Sequence, residues 1–139
     1  MANLTQKEIR SLIRSFEAGT LPRESWTHAA HLTVALWYLI QNPQTAIDQI
    51  RYGIQSYNAA IGIKSTLIGG YHETITLFWI QMIQNFIANV EDSNSFCDLT
   101  NTVINHYSDP KLLFQYYSHD RLFSPQARRV WIEPDLKSI

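Results

Sequence analysis

The stretch from Ser25 to Ile40 is apolar nearly all round, yet it carries two histidines, His28 and His31, one helical turn apart. A helix apolar on every side has to be surrounded by other elements, so this stretch sets the centre of whatever the chain folds into. On its wheel His28, His31, Ala35 and Tyr38 follow one another at steps of three and four residues, which gathers the polar groups into one stripe. We read that stripe as facing a pocket.

The other segments supply helices to pack around it. Thr5 and Glu8 have capping-box spacing, and Ile9, Leu12, Ile13 and Phe16 then recur on one face until Gly19, which predicts a helix over 5–18. The central helix is expected over 24–41. Asn42 is expected to cap a third helix with Pro43 at its first position, its stripe being Ile47, Ile50, Ile54, Tyr57 and Ile61 up to Gly62. A second helix apolar on most sides runs from Tyr71-His72-Glu73 to about Asn89. Asp92-Ser93-Asn94-Ser95 reads as a turn and cap before a fifth helix carrying Phe96, Leu99, Val103, Ile104 and Tyr107. Asp109-Pro110 and Ser124-Pro125 each open a short C-terminal helix, and His119-Asp120 reads as a surface loop pair. No segment alternates with period two for long enough to form a sheet. The expected fold is therefore all-α: a compact antiparallel bundle of about five main helices with one or two short C-terminal ones.

At 139 residues the chain fits a single domain over 1–139 with a sizeable core. Eleven Lys and Arg stand against twelve Asp and Glu. The basic residues are dispersed except for Arg121, Arg128 and Arg129, which argues against a nucleic-acid groove. The single cysteine, Cys97, excludes an internal disulfide and reads as a small buried hydrophobe, and the first residues have no leader pattern. Apolar runs fall short of the ~20 residues of a membrane span. A cytoplasmic protein with no nucleic-acid or membrane partner is the expectation.

Short loops between long helices bring His28, His31, His72, Glu73 and His106 toward one end of the bundle. Imidazoles at i and i+3 lie about 5–6 Å apart at Cβ and can share one divalent ion, with His72 as third ligand and Glu73 as ligand or general base. Zinc, iron, manganese and nickel fit such a set equally well, and an open coordination position would activate water or polarise a carbonyl of a small polar metabolite. Tyr38, Tyr71, His106, Arg128 and Arg129 are the candidate substrate contacts. The alternative is a metal-free binding or regulatory module. Helix N-termini favour anions and keep nearby histidines neutral, and the C-terminal arginines can clamp a carboxylate or phosphate. The third reading makes the histidines core residues bonded to backbone carbonyls. Gly69-Gly70 gives turn freedom before the fourth helix or lets a ligand approach its backbone. Ser118-His119-Asp120 cannot form a catalytic relay, since consecutive residues do not face one another in the required order.

Trp26-x-His28-x-x-His31-Leu32, Tyr71-His72-Glu73-Thr74-Ile75-Thr76 and Leu122-Phe123-Ser124-Pro125-x-Ala127-Arg128 together resemble the motif set of a family of small uncharacterised bacterial proteins. The resemblance spans most of the chain and implies no activity. A weaker likeness is to the three-histidine metal sites of DinB-like bundles, although a His-x-x-x-His pair in a late helix is missing. His119-Asp120 also resembles part of the HD phosphohydrolase pattern.

Overall fold

The structure, a computed structural model, describes residues 3–90 and 95–139. It is all-α, with no strand among the described residues. Helix α1 (Gln6–Ala18) opens with the expected capping box: the Glu8 amide donates to Thr5 Oγ1 (3.1 Å) and the Thr5 amide to Glu8 Oε1 (2.9 Å). It closes on Gly19 at φ +72°, where a Cβ would meet Ala60 Cβ at 2.8 Å. Glycine there both ends the helix and lets it press against the next layer.

Helix α2 (His28–Gln41) begins later than the periodicity implies. Arg23–Ser25 form a 3-10 turn instead, and the Thr27 hydroxyl caps the helix by accepting from the Ala30 amide (3.2 Å). The expected centrality holds. Ala30, Leu32, Val34, Ala35, Leu36 and Leu39 are buried on all sides, and α2 packs against α1 and against α3 (Ala46–Ala60), α4 (Glu73–Ala88) and α5 (Phe96–His106).

Asn42 does not cap α3. Its own amide still bonds Tyr38 O (2.9 Å), closing α2, while its carbonyl accepts from Thr45 (3.1 Å) in a turn that delays α3 to Ala46. The turn expected at Asp92, Ser93 and Asn94 lies outside the described residues, but Ser95 does cap α5 through the Asp98 amide (3.1 Å). Beyond α5 come a 3-10 turn (Pro110–Gln115) capped by Asp109, then α6 (His119–Leu122) and α7 (Pro125–Arg129), the last capped by Ser124. His119-Asp120 is thus the start of a helical turn, with Leu122 and Phe123 amides bonded back to Ser118 and His119.

Two contacts show that α2 and α5 are antiparallel. At one end His28 meets Tyr107 just past α5, and at the other Trp37 meets Phe96 in its first turn. The main core gathers Leu32, Leu36, Ile50, Phe78, Ile83 and Val103. A second cluster of Phe16, Leu21, Val34 and Tyr57 fixes α1 to α2 and α3, the Tyr57 hydroxyl donating to Leu21 O (2.8 Å). Residues 130–136 strap the C-terminus to α4. Thr74 Oγ1 donates to Val130 O (2.9 Å) and accepts from the Ile132 amide (3.2 Å), and Tyr117 donates to Ile132 O (2.7 Å). That strap sets where the C-terminal arginines stand. No described helix is long and apolar enough to cross a membrane.

Candidate functional site

The three histidines first considered as ligands are each tied to backbone. His28 Nε2–H donates to Tyr107 O (2.8 Å), and its ring meets Trp79 edge-on at 4.7 Å. His31 Nδ1–H donates to Thr27 O (2.8 Å) and lies under the Trp26 indole, ring centroids 3.7 Å apart. His72 uses both nitrogens: Nε2–H donates to Leu122 O (2.8 Å) while Nδ1 accepts from the Ile75 amide (3.1 Å), making the imidazole the N-cap of α4. His72 is also displaced along α4. His28 packs at the level of Trp79, and seven residues of helix separate that level from His72, about 10 Å. Among the described residues no three His, Cys, Asp or Glu side chains are grouped to hold a metal ion. His106 is exposed beside Phe86 and Tyr107, and the Tyr38 hydroxyl donates to Glu17 Oε2 (2.6 Å) on the α1 side.

Burial lowers the His72 imidazole from its ordinary value against the pull of the Leu122 carbonyl, and Arg128 pushes it the same way as burial. Desolvation likewise takes His31 down to about 4, opposed by the Thr27 carbonyl and aided by His28. His31 keeps an exposed edge, so water softens the depression, and the ring is neutral at pH 7 either way. Both are bases with a folded pKa below the unfolded value of about 6.5, so the unfolded chain binds protons more readily. The stability they confer is complete above about pH 6.5 and falls away below it, for His31 as pH drops toward about 4. The melting temperature is therefore expected to drop by several degrees across that window. His72→Asn, which keeps a capping oxygen but cannot titrate, should flatten the slope; an unchanged slope would remove His72 from the account.

Four of the other candidates do come together. The first turn of α4, the middle of α3, the loop 65–71 and α7 enclose a cleft of about 460 Å³ lined by Tyr71, Glu73, Arg128 and Arg129, with Arg51, Gln55, Ser65 and Thr66. Arg51 Nε donates to Glu73 Oε1 (3.1 Å) and Oε2 (2.9 Å), and Nη2 reaches Oε2 as well. The Glu73 side chain is only 13% exposed and that of Arg51 36%, so this fork is held in a partly desolvated place where it resists rearrangement. Tyr71 donates its hydroxyl to Glu73 Oε1 (2.6 Å); burial first, and that bond second, raise its pKa, so it stays a donor at neutral pH. Arg128, which lines the cleft, donates from Nη1 to Gly70 O (3.1 Å) and Tyr71 O (3.4 Å), while Arg129 is exposed.

The lining thus presents three guanidinium groups and one carboxylate, and Glu73 serves to orient Arg51 and Tyr71. Sequence reasoning missed Arg51. Its one local signal is a charge set between Ile50 and Ile54 of the apolar stripe, at the flank where a long side chain can lie half-buried. No family model, curated protein or solved structure matches the chain.

Proposed function

We propose that the protein binds a small anionic metabolite, a carboxylate or a phosphate ester, in the cleft between α3, α4 and α7. The observation that supports this reading is the excess of guanidinium over carboxylate in a concave site, with two of the three arginines already immobilised. Arg51 is locked by Glu73 and, through Nη1, by Asp48 (3.1 Å), which together balance its charge, and Arg128 is held by the carbonyls of Gly70 and Tyr71, so Arg128 and Arg129 carry the excess. Preorganised donors lose little freedom on binding, and a planar guanidinium matches an oxyanion with two parallel hydrogen bonds. Arg129, exposed at the mouth, acts as the closing clamp, with the Ser65 and Thr66 hydroxyls and Gln55 as neutral donors.

The test uses inorganic phosphate and succinate as probes, titrated by calorimetry or by amide chemical shifts. At least one should bind saturably and more weakly as salt rises. Arg129→Ala, which removes no contact that holds the fold, should weaken it tenfold or more with an unchanged melting temperature. Failure of both probes to bind wild type, or equal binding by Arg129→Ala, would overturn the reading.

A further inference from the structure

On the far side of α2 a second concavity is built differently. About 440 Å³ of space lies between α1, α2 and the start of α5, floored by Ile9, Ile13, Trp37, Phe96 and Cys97. The two isoleucines are buried, and the Trp37 and Phe96 rings meet edge-on at 5.4 Å, so the floor is rigid and apolar. The volume falls within the range of small-molecule sites.

One edge of this groove is charged along its length. Arg10 and Arg14 follow Ile9 and Ile13 by one residue each, so on α1 an arginine row runs beside the isoleucine row. Both arginines are exposed, and on their other flank they line a concavity that also contains Lys7. The Arg stems can lie along apolar surface while the heads stay in water. Glu17, one helical turn past Arg14 on the same flank of α1, puts a negative charge at the C-terminal end of that row, engaged by the Tyr38 hydroxyl (2.6 Å). A ligand that satisfies all of these needs an apolar body for the floor and an anionic head toward the Arg10 end of the arginine row, the end farther from Glu17.

We infer that this groove is a binding site for an amphipathic monocarboxylate, a medium-chain fatty acid or its aromatic equivalent. The site is independent of the cleft at α7. Charge complementarity selects the occupant: a cationic amphiphile would meet two like charges at the edge, and a fully apolar ligand would gain nothing from the guanidinium row, whose heads stay hydrated.

Decanoate below its micelle concentration is the probe, titrated into the full chain, with decylamine as the charge-reversed control. Wild type should bind decanoate at one saturable site and bind decylamine at least tenfold more weakly. Arg10→Glu combined with Arg14→Glu, both exposed positions, should reverse that preference. Since Cys97 lines the groove and is the chain's single cysteine, saturating decanoate should slow its reaction with a maleimide several-fold in unmodified protein, a readout that needs no variant. Arg129→Ala should leave decanoate affinity unchanged. Non-saturable binding, equal affinity in the charge-reversed protein, an unprotected Cys97, or a loss in Arg129→Ala would each overturn the assignment.

Discussion

His72→Ala is expected to lower the stability of the fold by about 2–5 kcal/mol, a large share of the ~5–15 kcal/mol that holds a domain together. The side chain is 7% exposed and satisfies two groups that have no other partner in those bonds: the Ile75 amide in the first turn of α4 and the Leu122 carbonyl at the end of α6. Losing the cap costs about 1 kcal/mol, and stranding a buried carbonyl costs about 1–3 more. The cavity left by the ring adds to both. His72→Asn separates these terms, because its oxygen can still accept from the Ile75 amide but cannot reach Leu122, so it should recover only the cap. Urea midpoints of the two variants check this. If alanine and asparagine destabilise equally, the capping role is wrong; if neither moves the midpoint by more than a few tenths of a kcal/mol, the bridge to Leu122 contributes nothing either.

The second large effect is expected at Gly70, whose backbone shapes the loop wall of the cleft. Its φ is +86°, and a Cβ there would sit 2.6 Å from Lys64 O and 2.8 Å from Ser65 Cα, both backbone atoms that cannot swing away. Gly70→Ala therefore adds a steric clash to the left-handed penalty of about 1–2 kcal/mol, for a total of about 2 kcal/mol or more. Relief requires loop 64–70 to move, which draws the Gly70 carbonyl off Arg128 and should weaken phosphate or succinate binding together with stability. Gly62→Ala is the matched control. Gly62 has nearly the same φ, +81°, but nothing lies within 4 Å of its would-be Cβ, so only the backbone penalty applies and the cleft is untouched. Equal losses in the two variants would show that the close approach at Gly70 is unimportant.

The bond from His72 to Leu122 and that from Arg128 to Gly70 join residues far apart in the chain, and such contacts are what the sequence could not display. The Thr5–Glu8 box and the Ser95, Asp109 and Ser124 caps were legible because a cap and its amide lie two or three residues apart. Thr27 was harder to see. Its partner is the bare amide of Ala30, with no acidic residue to complete a box, so periodicity alone placed the start of α2 too early. His72 lay within a recognisable helix start, yet its capping role was hidden because imidazole is not among the usual N-cap residues.

The cleft divides along the same line. Tyr71, Glu73, Arg128 and Arg129 could be named from local motifs and from the clustering of charge, and the cleft does gather them. That Glu73 faces Arg51, twenty-two residues away, and that Arg128 reaches Gly70 and Tyr71, fifty-eight and fifty-seven residues away, follows from how α3, α4 and α7 pack. Hydrophobic period established which faces turn inward, and hence the all-α class and the central place of α2. It carries no information about axial stagger: a helix can slide along its neighbour by a turn while keeping the same face buried. The two-turn offset of α4 relative to α2, which separates His72 from His28 and carries it to Leu122, was decided only by the tertiary packing of side chains and by the C-terminal strap over α4.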